Sequence, residues 1–400
     1  LYHGIDVEGI RRVSDLPRLP FTDRAMLAAA PSRFLAEGIT PTYLQFTSGT
    51  TGVPLLVWRC QEERVAIARL LGDEQPPAGD MPLALALREL HHGTATPIPG
   101  HHLVIEGSIA DERTVEQALE LLLHAFSIPG LERRVTVVTG TDTALRAVAH
   151  YAALRGVPLA DRSLAVIQSY GDLMPRAVRE GLSRAWGTPL VDRWSCTEHF
   201  GGASSIPGTD VYRFDPHLVP EVVDIRSGAP IHSGTGALVV TSLYPLVQCM
   251  PLIRYRTGDL VEVVQSDPER GSLMVRMHGR ESRAALWNSP LLTEMEARNA
   301  IEELPGVVYR TRRRELRAPG IARAIGHPDL EVRLEEDSDG RRVVVEVRVE
   351  RESDDLRRTL RTVLLEESPS LARAVGAGLE LELSFRHDDR LTCTGASNST

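Results

Sequence analysis

The stretch Thr47-Ser48-Gly49-Thr50-Thr51-Gly52-Val53-Pro54 carries four hydroxyl side chains and two glycines and no charge. Glycine lets the backbone turn with positive φ and approach a ligand closely. Successive amide N–H groups then form a concave nest for phosphate oxygens, and the hydroxyls add donors. The chemistry such a loop can do is to cradle a polyphosphate; taken alone, it is equally readable as a polar turn. It lacks the Lys-Ser/Thr ending of a Walker loop. The sequence contains no lysine at all, so its 45 basic residues are all arginine and no lysine is available for catalysis.

Other reactive side chains are scattered. Cys60, Cys196, Cys249 and Cys393 include no C-x-x-C pair, which argues against a disulfide scaffold or a cysteine zinc site. His91-His92 and His101-His102 have no cysteine or acidic partner at ligand spacing and fit a polar loop better than a metal centre. Cys196 reads as a small buried residue rather than a nucleophile. The basic run 310–316 reads as a solvated face.

The elements that must position these groups follow from periodicity. From about 40 to 260, short β-branched strands alternate with amphipathic helices: 135–140, 164–168 and 189–194 as strands, 114–126, 143–156 and 175–187 as helices. A Thr-x-x-Gln box at Thr114 is expected to cap the first helix, and Pro175 and Gly187 to bracket the last. This rhythm predicts an α/β domain with a mostly parallel sheet flanked by helices. Ligands of such sheets bind at the carboxyl ends of the strands. After about 280 the pattern changes to a helix (294–304), a hairpin (330–350), a helix (353–368) and a strand (379–385). That is a small α+β module, so two domains are expected, 1–279 and 280–400, with a hinge near 279–283.

Length, 42% hydrophobic and 25% charged residues are those of a soluble globular chain. No apolar run is long enough for a membrane span, and the N-terminal stretch lacks a signal-peptide core, so a cytoplasmic location is the expectation. A net charge of −9 argues against a nucleic-acid binder.

Several stretches, in order along the chain, resemble the motifs of adenylate-forming enzymes, the superfamily of acyl-CoA ligases, adenylation domains and luciferases. They are "FTSGTTGVP" (46–54), "RWSCTEHFGG" (193–202), "GALVVTSLYPLVQCMPLIRYRTGDL" (236–260) and "HGRES" (278–282). "PLIRYRTGDL", the lead-in "DVEGIRRVSDLPRLPFTDRAML" and "NSPLLTEMEARNAIEELPGV" resemble the phenylacetate–CoA ligase branch. The resemblance implies a large domain with a small mobile lid. It implies that Thr47, Ser48, Gly49, Thr50, Thr51 and Gly52 hold the β- and γ-phosphates of ATP, and that Thr197 contacts the α-phosphate region. Glu198 would hold Mg²⁺, Trp194 would stack on adenine, Asp259 would accept from the ribose hydroxyls, and Arg280 would reach ribose or phosphate. Tyr170 and Gly171 would line the acid pocket, and His199 would touch substrate or pyrophosphate. The reaction implied is ATP-dependent activation of a carboxylic acid of aromatic type to an acyl-adenylate, then transfer to CoA; a homodimer is implied by the branch.

The sequence departs from the family pattern at informative places. The C-terminal lysine that bridges carboxylate and α-phosphate is missing, and Arg386 or Arg390 is the candidate substitute. Val53 stands where the branch often has lysine, Ser195 where the family has glycine, and Ser282-Arg283 where acidic residues are common at the hinge. Arginine is planar and larger than lysine, so equivalence does not follow. Two alternatives therefore accompany the CoA-ligase reading: a secondary-metabolite ligase transferring to an amine or other nitrogen without CoA, and a nucleotide-binding module without turnover.

Overall fold

The structure is a computed structural model that describes residues 7–46, 55–72, 82–88, 103–128, 131–267, 272–311, 313–338 and 340–387. The hydroxyl-rich stretch 47–54, the histidine pairs 91–92 and 101–102, Arg390 and Cys393 lie outside the described residues.

Among these residues, twelve strands form the main sheet. Its first half is parallel, in the order Leu103–Ser108, Leu83–Arg88, Leu131–Gly140, Val166–Tyr170, Leu190–Cys196, with Ala125–Ile128 added antiparallel to Leu131–Gly140. Its second half is antiparallel: Gly201–Ser205, Val211–Phe214, Ser272–Arg280, Tyr255–Asp267, Gly234–Ser242 and Leu218–Val223. Parallel neighbours need a crossover, which the helices Asp142–Leu154 and Arg176–Trp186 supply. Most later strands pair antiparallel with the next in sequence, as connections without a crossover allow, whereas Val211–Phe214 pairs with the distant Ser272–Arg280. The parallel arrangement expected from sequence thus holds up to Cys196 and gives way to a mixed sheet after it.

Local signals explain the helices. Thr141 Oγ1 accepts the Ala144 amide at 3.1 Å and opens Asp142–Leu154. Gly187, at φ +67°, closes Arg176–Trp186, as its place after the last apolar residue predicts. The helix Glu112–Leu123 starts earlier than the Thr114 box implies: Asp111 is the cap, its carboxylate accepting the Thr114 amide, and Thr114 Oγ1 in turn accepts the Asp111 amide. Leu85, Val138 and Ile167 of the sheet pack with Val115, Leu119, Leu145, Val148, Val178 and Leu182 of these helices in one continuous core.

A second core belongs to the C-terminal lobe. There Leu330–Asp337 and Gly340–Val349 form the expected hairpin. Glu380–His387 adds to it in parallel, its crossover made by Asp354–Glu367 and Pro369–Gly376. Ser353 caps the first of these, and a Thr293/Glu296 box starts Glu294–Ile301.

Between the paired segments Tyr309–Arg310 and His327–Pro328, the chain leaves this lobe and enters the large one. Leu316, Ala318, Ile321 and Ile325 are members of the large domain's core. The Arg146 guanidinium donates to the Ala324 carbonyl at 2.6 Å and to that of Arg323 at 3.3 Å. His150 Nε2 meets the Pro319 carbonyl at 2.8 Å, and the Arg317 amide donates to Glu112 at 3.0 Å. His327 lies 3.3 Å from Asp142 and 3.9 Å from Asp172. Far from being simply a solvated basic run, 310–316 opens a strap between the lobes, and its last residue, Leu316, is buried.

Candidate active site

The antiparallel register of Tyr255–Asp267 with Ser272–Arg280 sets Asp259 opposite Arg280. Gly258, at φ +78°, turns the strand just before it, a conformation that favours glycine. Arg280 Nε lies 3.3 Å from Asp259 Oδ1, and its Nη1 donates to the Thr257 carbonyl at 2.8 Å. Trp194 Nε1 donates to the other Asp259 oxygen at 3.2 Å. Burial pushes the Asp259 pKa up; the Arg280 charge and the Trp194 bond act against it. Trp194 stands edge-on to Phe214, their ring centroids 5.8 Å apart. Three separated sequence motifs therefore meet at one buried carboxylate, and each oxygen of that carboxylate already holds a partner that a diol would have to share or displace.

The strand Leu190–Cys196 runs on into a single turn, Thr197–His199. Glu198, almost completely buried, accepts the Tyr255 hydroxyl at 2.9 Å and the Cys196 thiol at 3.0 Å. Arg24 lies 3.8 Å away. Burial, then the charge of Glu198, holds the Cys196 thiol far above its ordinary pKa, so it is not a nucleophile at neutral pH. The same causes raise the Tyr255 phenol. A carboxylate has about four acceptor sites, so Glu198 keeps lone pairs for a hard cation. Mg²⁺ commonly takes one or two carboxylates with substrate phosphates and water, and Glu198 fits that demand. Thr197 presents its carbonyl to Arg59 Nη2 at 2.6 Å.

His199 is fully buried, its Nδ1 2.6 Å from Ser242 Oγ and its ring edge-on to Tyr255. Burial lowers its pKa to about 3, so it stays neutral, and it has no exposed surface from which to reach a substrate. Tyr170 ends the strand Val166–Tyr170, its hydroxyl 3.5 Å from the Leu87 carbonyl. Gly171 follows, exposed, at φ +108°.

Near the end of Ser272–Arg280, Gly279 adopts φ +95°, and a Cβ there would come within 2.8 Å of Glu294 and 3.2 Å of Leu173. Arg283 donates to Glu294 at 3.1 Å, and Arg298 donates to the same oxygen at 2.9 Å. Burial would raise the Glu294 pKa, but these two arginines hold it below the usual value. Arg386, the candidate lysine substitute inside the described residues, is in the small-lobe sheet and is paired with Glu331 and Glu346. Its charge is spent within its own lobe. Sequence reasoning missed Arg24 and Arg59; their types carry a signal only once the fold sets them beside Glu198 and Thr197. Tyr255, inside the 236–260 stretch, likewise reaches Glu198 only through the fold.

The mixed sheet, the appended α+β lobe and the clustered motif residues define a class: the chain has the fold of the adenylate-forming ligases. A structure of 2-hydroxyisobutyryl-CoA ligase in an open conformation, in complex with 2-HIB-AMP and CoA, superposes with a TM-score of 0.61 at 14% identity, covering 96% of this chain and 82% of that one. In sequence the chain is similar to phenylacetate–coenzyme A ligases. It is 26% identical to that of Thermus thermophilus over 287 residues, 68% of this chain and 62% of the ligase. It is 23% identical to that of Escherichia coli over 296 residues, 69% of this chain and 64% of the ligase. Each match spans less than two thirds of the ligase's length. No family model matches the chain.

Proposed function

We propose that this protein activates a carboxylic acid, of aromatic type, with ATP and passes the acyl group to CoA. The observation that carries this reading is the meeting of Trp194, Asp259 and Arg280 at one corner, with Glu198 close enough to influence the Asp259 pKa. A nucleoside needs an aromatic wall, a diol acceptor and a cation, and the triphosphate needs a metal-binding carboxylate nearby.

In the first half-reaction an acid oxygen bonds to the α-phosphorus, the bond to the bridging oxygen breaks, and pyrophosphate leaves with the electron pair. In the second, the CoA sulfur bonds to the acyl carbon, AMP leaves, and the thiol proton passes to solvent or to the leaving phosphate. The protein's work is positioning and charge stabilisation. Asp259 would orient the ribose, Arg280 would keep Asp259 ionised and aimed, Glu198 would hold Mg²⁺, and residues 47–52 would grip the β- and γ-phosphates. When bound, Mg²⁺ would offset phosphate charge. Tyr170 and Gly171, at the carboxyl end of a parallel strand, would border the acid. The reading places the protein in the cytoplasm, where ATP and CoA are supplied, and allows a homodimer.

A second reading, a nucleotide-binding module without turnover, is favoured by one observation: the chain has no lysine and Arg386 is paired with two glutamates, so it departs from the family pattern at the adenylation step. Acid-dependent ATP–pyrophosphate exchange with a panel of aryl acids tests activation. Exchange is expected; its absence with every acid, while ATP still binds, favours a binding module without turnover. Product mass with CoA and then with amines separates the two acceptors.

A further inference from the structure

We propose that Glu302 is the proton-sensitive element of a latch between the two lobes: while its carboxyl is protonated the strap stays docked on the large domain, and when it ionises the dock loosens. The inference stands on the fold and does not depend on the nucleotide reading.

Glu302 caps the C-terminal end of Glu294–Ile301 in the small lobe and is almost completely buried. Three parts of the chain meet around it. Arg146 and Asp142 act on it from the large-domain helix Asp142–Leu154, Arg323 from the strap, and Arg298 from its own helix. The Tyr309 hydroxyl donates to the Glu302 carbonyl, and burial pushes that phenol up to about 12, so it is neutral. The three arginines are committed elsewhere. Arg146 donates to the strap carbonyls of Ala324 and Arg323 and lies 3.5 Å from Asp142. Arg298 donates to Glu294 at 2.9 Å, and the Arg323 guanidinium lies 5.1 Å from the Tyr309 ring centroid. Glu302 Oε2 is buried with no hydrogen-bond partner among the described residues. An ionised carboxylate in that position is costly. Burial outweighs the pull of the arginines and pushes the Glu302 pKa up to about 7.

His327 closes the same seam as a neutral bridge. Asp142, Asp172 and His327 are close enough together to suggest a cation. Arginine only donates, however, so the 3.4 Å contact of Arg298 with His327 Nδ1 makes that nitrogen an acceptor. The ring proton is then on Nε2, toward Asp142 and Asp172, and leaves no lone pair there for a metal. The titrating member of the seam is Glu302. Released from the seam, its carboxyl returns toward the ordinary value of 4.5. The docked state therefore holds a proton that the released state gives up. Docking is strongest below the ordinary value and weakens as pH rises through about 7. Between pH 6 and pH 8 the release equilibrium shifts by roughly five- to tenfold.

The test is hydrogen exchange, read by mass spectrometry on the full chain, for wild type and Glu302→Gln at pH 6 and pH 8, each rate divided by the intrinsic rate at that pH. In wild type, protection of 316–325 is expected to fall roughly five- to tenfold from pH 6 to pH 8, while Gly340–Val349, inside the small lobe's own core, changes less than about twofold. E302Q keeps the shape and cannot ionise, so it is expected to abolish or at least halve the dependence at 316–325. The titration of Asp192 is common to both proteins and cancels between them. Strap protection that is flat with pH in wild type overturns the proposal. So does a pH dependence that E302Q leaves intact, and so does an equal loss at 316–325 and 340–349, which would be global opening. If E302Q does not fold, the wild-type comparison of the two segments decides by itself.

Discussion

Glu198 illustrates how a single side chain can be asked for one property. Glu198→Gln keeps the shape and leaves the Tyr255 hydroxyl an acceptor, but removes the charge a cation needs. We expect ATP–pyrophosphate exchange to fall by roughly a hundredfold or more with an unchanged circular dichroism spectrum; exchange within a few-fold of wild type would remove Glu198 from metal binding. Asp192 offers a different test. It is buried, accepts the Tyr212 hydroxyl, and burial raises its pKa to about 6. The folded state therefore holds a proton that the unfolded chain, with an ordinary pKa of 3.8, has released. That contribution to stability is fully present below the ordinary value and is lost as pH rises through about 6. Asp192→Asn removes this dependence. Between pH 5 and pH 8 the stability difference should move in favour of the variant by about 1–2 kcal/mol, read from urea denaturation at the two pH values.

At the scale of elements, the strap between Tyr309–Arg310 and His327–Pro328 is the feature with consequences. A lid that swings freely about 279–283 would have to drag Leu316, Ile321 and Ile325 out of the large core. Each large aliphatic side chain loses about 1.5–3 kcal/mol on exposure, so wholesale release of the strap is costly and any rotation about 279–283 would have to pivot around it. Ile325→Ala should cost about 2–5 kcal/mol and, by loosening the backbone, speed tryptic cleavage after the already exposed Arg314 and Arg317. Unchanged stability and an unchanged digestion pattern would show that the strap is not held by that packing. The caps show the same scale from the sequence side. Thr293 and Ser353 are found where their residue types place them. At Glu112–Leu123 the cap is Asp111 and not the Thr114 expected from sequence, because Asp111 meets the free amide and Thr114 serves as its partner.

For the whole molecule, the nucleotide reading makes a global prediction. A ligand that binds only the folded state stabilises it by about 2.7 kcal/mol at a hundred times its Kd. Millimolar Mg·ATP should therefore raise the melting temperature by several degrees, and AMP should do so as well. No shift with either nucleotide would contradict the assignment of Trp194, Asp259 and Arg280 to a nucleoside site.

Much of the architecture was legible in local pattern. Alternating strands and helices around 135–194, the hairpin at 330–350 and the glycine after Trp186 are set by side-chain periodicity and backbone preference, which act over a few residues. The motifs at 193–202, 255–260 and 278–282 were legible as chemistry, and Asp259, Arg280 and Trp194 do come together. What sequence alone could not state is which neighbours those groups keep. The burial of His199, the neutralisation of Arg386 by Glu331 and Glu346, the approach of Arg59 to Thr197 and the passage of residues 316–325 into the other lobe's core are all contacts between distant segments. Such contacts depend on sheet order and on the direction of each side chain in three dimensions, and neither is encoded in the spacing of residues along a chain.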